Sequence, residues 1–113
     1  MSIKLERLGH IFTEEISKII QTELRDESIG IISITYTKIS SDLSYAKVYF
    51  TALDIERKKE LEDKLNKASK FIRSNLFDRV EIRKMPELTF VYDESVEYGN
   101  KIEHIIEKIK KED

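Results

Sequence analysis

The chain has no cysteine and no tryptophan, and only one proline, three glycines and two histidines in 113 residues. Without thiols it can form neither a disulfide nor a thiolate metal site, a composition suited to a reducing compartment. Gly9, Gly30 and Gly99 are too scattered for a phosphate-cradling loop, and no His-Glu-x-x-His or calcium-loop spacing occurs. His10 and His104 stand far apart on segments patterned as helices, so neither a nucleophilic triad nor a zinc site assembles from the usual parts. The acidic pairs Asp26-Glu27 and Asp93-Glu94 read as a helix end and a helix start, not as acid and base. The expectation is a protein that is not an enzyme and uses no cofactor. No stretch approaches the roughly 20 apolar residues of a membrane-spanning helix, and Met1 to Leu5 hold no apolar run of the kind found in signal sequences. We expect a soluble, cytoplasmic protein, monomeric when free, with no membrane and no small-molecule partner.

The length suits a single domain, residues 1–113, which removes about two-thirds of the unfolded chain's surface from water. Charge is abundant but uneven: the formal net charge is −2, with residues 1–56 carrying −3, residues 57–84 carrying +5 and residues 85–113 carrying −4. A basic middle between acidic flanks marks a localised anion-binding surface on a chain that otherwise repels polyanions.

The spacing of Leu5, Leu8, Phe12, Ile16 and Ile19 predicts an amphipathic helix from Ile3 to about Asp26. Gly9 lies in its apolar sector, where a missing side chain permits close packing on a sheet or marks a frayed first turn. Gly30 supplies the turn that follows. Residues 31–39 alternate as a strand, with Ile32, Ile34 and Tyr36 to one side and Ser33, Thr35 and Thr37 to the other. After a turn at 40–44, residues 45–53 alternate again, Ala46, Val48, Phe50 and Ala52 opposite Tyr45, Lys47, Tyr49 and Thr51, completing a hairpin with one apolar face. A third strand is expected from about Glu81 to Asp93, with Leu88, Phe90 and Tyr92 on one side. Pro86 cannot donate to a ladder, which puts this strand at an edge or bulges it at Met85-Pro86. Ser95 is expected to cap a last helix striped by Ile102, Ile105, Ile106 and Ile109, with residues 110–113 frayed. These elements make a two-layer α+β domain, a three-stranded mixed sheet with helices on one face.

Between the second and third strands, Asp54 suits an N-cap and a helix is expected from near Glu56, with Leu61, Leu65, Ala68, Ile72 and Leu76 along one face. Lys67, Lys70 and Arg73 fall on the opposite face. Asp63, four residues before Lys67, offers it a local partner, whereas Lys70 and Arg73 have no carboxylate at that spacing. Such charges form either an ordinary solvated face or an anion-binding one.

Four segments, in this order, resemble one family. They are Glu23-Leu24-Arg25-Asp26 with Ile29-Gly30; Ser41-Asp42-Leu43-Ser44-Tyr45-Ala46-Lys47-Val48; Ala68-Ser69-Lys70-Phe71-Ile72-Arg73; and Arg83-Lys84-Met85-Pro86-Glu87-Leu88-Thr89-Phe90 with Asp93. Together they span nearly the whole chain, and the family they resemble is ribosome-binding factor A. The resemblance implies a variant KH fold of the second type, in which a helix-kink-helix replaces the helix-loop-helix that carries Gly-x-x-Gly. KH domains clamp about four nucleotides of single strand there. The family's kink reads Ala-x-Gly; here Ala68-Ser69 is followed by Lys70, so a bend centred on Ala68 to Lys70 must use helical or bridge dihedrals. By the same resemblance the chain is a ribosome biogenesis factor that binds the free 30S small ribosomal subunit. It would assist late maturation and processing of the 5′ region of 16S ribosomal RNA, in the manner of an RNA chaperone, with most importance at low temperature. The RNA-binding residues expected on this basis are Lys67, Ser69, Lys70, Arg73, Arg79, Arg83 and Lys84, meeting phosphates.

Two other readings stand beside this one. Tyr45 and Tyr49 on the outer sheet face either stack on bases, as in an RNA-recognition motif, or pack across strands. Alternatively the chain is a protein-interaction module whose basic helix answers an acidic partner without touching RNA.

Overall fold

Residues 3–95 of the chain are described in this computed structural model. Helix α1, Ile3–Ile19, forms on the expected periodicity and buries Phe12, Ile16 and Ile19 completely. Its last turn widens to a π-turn over Ile20–Leu24, which brings the adjacent Ile20 into the core too. Arg25, in the left-handed conformation at φ 46°, ends it, one residue before the expected Asp26. A short 3-10 turn at Glu27–Ile29 follows, and Gly30 closes it at φ 72°, a conformation that favours glycine.

Strands β1, Ile32–Ile39, and β2, Tyr45–Ala52, pair antiparallel, and β3, Glu87–Tyr92, pairs parallel to β2 in the order β1-β2-β3. The parallel pair needs a crossover, which helices α2, Lys58–Lys67, and α3, Ser69–Arg79, supply. A 3-10 turn at Ile55–Arg57 leads into α2, capped by the Asp54 carboxylate on the Glu56 N–H. The sheet is the expected mixed one, and β3 lies at its edge.

Two strand expectations are corrected. In β1 the register shifts between Ile34 and Tyr36, a bulge at Thr35. Beyond it the faces exchange: Tyr36 is turned outward and Thr37 inward, 6% exposed. The bulge is pinned from the far side of the sheet, where the Thr35 hydroxyl donates to Asp93 Oδ2 at 2.7 Å. The inward Thr37 shares a hydroxyl hydrogen bond with Thr13 of α1 at 2.9 Å. There Gly9 allows the helix to touch the strand, since a Cβ on Gly9 would come within 2.6 Å of the Thr37 carbonyl oxygen. Strand β3 is shorter than expected. It starts at Glu87 because Pro86, buried just outside it, has no N–H to contribute.

The inner face of the sheet, Ala46, Val48 and Phe50 of β2 with Leu88, Phe90 and Tyr92 of β3, packs on Leu61, Leu65, Ile72 and Leu76 of the helix pair. Each buried Val, Leu, Ile or Phe side chain among them contributes about 2 kcal/mol when taken from water. Phe50 and Tyr92 meet edge to face, their centroids 5.5 Å apart. Past the end of β3 the Asp93 carboxylate accepts from the Ser95 N–H at 3.0 Å; the helix that Ser95 was expected to cap lies outside the described residues. The stripe of Ile102, Ile105, Ile106 and Ile109, His104 and the frayed end at 110–113 lie outside the described residues. Among the described residues no helix is long and apolar enough to cross a membrane.

Candidate nucleic-acid interface

Helices α2 and α3 would be one helix but for Ala68, which sits at φ −89°, ψ 1° in the bridge region. Its N–H still donates to the carbonyls of Lys64 and Leu65, both at 3.1 Å, and its own carbonyl accepts from the Ile72 N–H at 3.0 Å. The chain therefore turns at one residue without leaving those groups unpaired. Any L-residue can adopt these dihedrals, so the kink forms with lysine at position 70 in place of the family's glycine.

The break is held from both sides. On the α2 side Asn66 Nδ2 donates to the Phe90 carbonyl at 2.9 Å, and Asn66 Oδ1 accepts from the Phe90 N–H at 2.8 Å. One turn earlier Glu62 accepts from the Tyr92 N–H at 3.0 Å. On the α3 side Arg73 donates through Nε to the Pro86 carbonyl at 3.0 Å and through Nη2 to that of Met85 at 2.6 Å. These bonds satisfy polar groups of β3 and of the loop leading into it. Sequence reasoning passed over Glu62 and Asn66. The available signal was an asparagine, a poor helix former, in mid-helix beside the buried stripe.

Between the anchors the expected residues point outward. Lys67 and Lys70 are exposed, and neither makes a hydrogen bond or ion pair with any described residue. The expected Lys67–Asp63 pair does not form, so Lys67 joins Lys70 as an unneutralised cation. Ser69 lies half-buried between them. Arg73 is not the uncommitted charge that its helical spacing implied, because it grips the Met85 and Pro86 carbonyls. A guanidinium has five N–H donors, so several remain for a ligand. Arg79 is separate from this group: it pairs with Glu15 at 3.2 Å and Glu23 at 3.5 Å, tying α3 to the first helix with its charge answered. Arg83 is exposed and has no partner among the described residues. Lys84 donates to the Ser44 hydroxyl at 3.1 Å, and the Glu87 N–H to the Ser44 carbonyl at 3.0 Å, which fastens this loop to the hairpin turn. That turn is itself rigid, because the Ser40 hydroxyl and then the Ser44 N–H donate to Asp42 and hold its carboxyl below the ordinary range.

An open groove of about 320 Å³ runs along α3, lined by Lys70, Arg73, Ser74, Phe77, Asp78 and Met85. Phe77 is 52% exposed and Phe71, beside Lys70, 45%. Sequence reasoning missed both because it followed the buried stripe; each directly adjoins that stripe, at Ile72 and Leu76. Two cations against one carboxylate favour an anion, and the aromatic ring adds a flat apolar face. Phosphate and base together present that combination.

A two-layer α+β domain with the topology helix-strand-strand-helix-kink-helix-strand and a cationic kink defines a KH-like protein of the second type. The sequence model for ribosome-binding factor A matches residues 4–106, and the chain belongs to that family. It is 43% identical over 113 residues to ribosome-binding factor A of Staphylococcus epidermidis, covering 99% of this chain and 97% of the relative. Among solved structures, the crystal structure of ribosome-binding factor A from Thermus thermophilus matches with a TM-score of 0.72 at 23% identity, covering 78% of this chain and 94% of that one. A Thermus thermophilus homology model fitted into a cryo-EM map of a 30S complex matches with a TM-score of 0.67 at 22% identity, covering 80% and 96%.

Proposed function

We propose that the chain binds the free 30S small ribosomal subunit through the kink between α2 and α3, and assists late maturation of the 5′ region of 16S ribosomal RNA by holding RNA structure, without catalysis. The observation that carries this reading is the pair of unneutralised lysines, Lys67 and Lys70, on either side of Ala68, the second of them lining the Phe77 groove. Its support from relatives is the 30S complex of the Thermus thermophilus protein. Lys67, Lys70 and the remaining donors of Arg73 meet phosphates, and Arg83 and Lys84 extend the positive surface along the anchored loop. The exposed Phe77 ring receives a base. Few polar side chains of the groove can read base edges, so selectivity rests on RNA shape.

Cosedimentation with purified small subunits tests this. Each single-strand phosphate contact contributes roughly 0.7 log unit of affinity per log unit of salt, so two are worth about 25-fold at about 0.1 M. The Lys67→Gln/Lys70→Gln variant should bind weaker by that order and with a shallower salt slope. A variant that sediments with small subunits as the wild type does, at every salt concentration, rules the kink out as the RNA-facing surface.

A further inference from the structure

The sheet face away from the helices carries a second set of groups. The β1 bulge places Tyr36 opposite Tyr49 on this face, and their rings stack with centroids 5.0 Å apart and planes 11° from parallel. Two positions along, Lys38 and Lys47 stand directly opposite each other, both exposed and without an ion pair to any described residue. Two positions further on β2 is Tyr45, 62% exposed, with Glu87 of β3 opposite it as the carboxylate nearest in register. Like charges directly opposed across strands oppose pairing, so this arrangement gains nothing from folding alone. It does suit a ligand that alternates flat rings with negative charges. From the stacked pair to Tyr45 is roughly 13 Å along the strand, with the lysines midway.

We infer that the outer sheet face is a second single-stranded RNA surface, on which bases stack against Tyr45 and the Tyr36–Tyr49 pair while Lys38 and Lys47 bind the intervening phosphates. It is distinct from the kink, which lies with the helices on the other layer. Charge complementarity selects the ligand: an acidic protein segment would satisfy the lysines but leave the tyrosine ladder without flat partners. A duplex keeps its bases stacked on one another and cannot use the rings.

The test is titration of the full-length protein with a single-stranded RNA octamer and with a duplex of the same sequence, followed by anisotropy and by the NMR signals of the tyrosine rings. The octamer should move the ring signals of Tyr36, Tyr45 and Tyr49. Lys38→Gln/Lys47→Gln should lower octamer affinity about 25-fold at about 0.1 M salt and the salt slope by about 1.4. Tyr45→Ser should lower affinity about tenfold, and Tyr45→Phe should restore it, since stacking needs the ring and not the hydroxyl. Removing a like-charge pair does not endanger folding, so the lysine variant remains interpretable. Unmoved tyrosine signals would overturn the inference, as would unchanged octamer affinity of the lysine variant. So would a wild-type dimer dissociated by the lysine changes, or occupation of the face by residues 96–113 that RNA does not displace. If Lys67→Gln/Lys70→Gln abolishes binding while the sheet variants bind normally, the inference fails and the kink reading stands. The converse result supports the sheet face as the octamer's site, and the kink is then judged by its own cosedimentation with small subunits.

Discussion

Lys70 and Arg73, one helical turn apart and both facing the groove, should part company on substitution. Arg73 holds two carbonyls in a loop that leads directly into β3. Hydrogen bonds from a charged donor are worth about 1.5–3 kcal/mol each where water is excluded. Arg73 is exposed, so water replaces much of that, and a net loss of about 1.5 kcal/mol is the appropriate figure for Arg73→Gln. For a domain of 113 residues that lowers the melting temperature by about 6 °C. Lys70→Gln touches no intramolecular partner and should stay within about 0.5 kcal/mol of wild type. RNA binding sorts the two the other way. Lys70→Gln should reduce the salt slope for small-subunit RNA by roughly 0.7. Arg73→Lys keeps the charge but loses the fork that spans two carbonyls, so it should melt early while retaining the slope. Thermal unfolding by circular dichroism and anisotropy titrations across salt concentrations read both quantities on the same samples. An Arg73→Lys protein with the wild-type melting temperature refutes the carbonyl clamp, and a Lys70→Gln protein with the wild-type slope refutes the phosphate contact.

Two further outcomes follow from the packing and the hydrogen bonds. Gly9→Ala gains about 1 kcal/mol of helix propensity but must displace the Thr37 backbone, at a typical overpacking cost of about 1–3 kcal/mol; a net loss near 1 kcal/mol is expected by chemical denaturation, and a more stable variant would show that α1 does not touch β1 there. Burial acts to raise the Asp93 pKa, but hydrogen bonds from Ser95 and Thr35 outweigh it, so the folded-state value lies below the ordinary 3.8. The folded form then binds fewer protons than the unfolded, and this contribution is complete above the ordinary carboxyl range and lost as pH falls through the lowered value. Asp93→Asn should flatten that part of the stability–pH curve measured between about pH 5 and about pH 2; a variant with the wild-type acid limb would place the carboxyl's stabilising bonds elsewhere.

Local periodicity made the helices, the hairpin and the buried stripe legible, because each is a matter of which side of one element meets the core. What the periodicity could not carry were contacts between elements. Tyr36 turns outward because of a bulge whose partner, Asp93, lies beyond the last strand. Arg73 and Arg79 lack carboxylates at helical spacing, yet both are engaged, one by carbonyls past Arg83 and the other by Glu15 and Glu23 of the first helical segment. Lys67 failed in the opposite sense, for it has a carboxylate at the right spacing and does not use it. At Ala68 the position of the kink was legible from family resemblance. Its dihedrals, and the Asn66 clamp beside it, belong to the packing against β3.

The strand order also has a consequence in time. Closing the hairpin of β1 and β2 requires only residues 40–44 to turn, whereas the β2–β3 pairing must wait for residues 53–86 to be looped around. Loop closure grows by about 0.6 kcal/mol per doubling of length, so the second pairing starts with a handicap of roughly 1.5 kcal/mol. During synthesis the hairpin and the first helix emerge together and can assemble while β3 is still inside the ribosome. Until it arrives, β2 keeps one unpaired edge, and in that interval the nascent chain is most prone to pair with another.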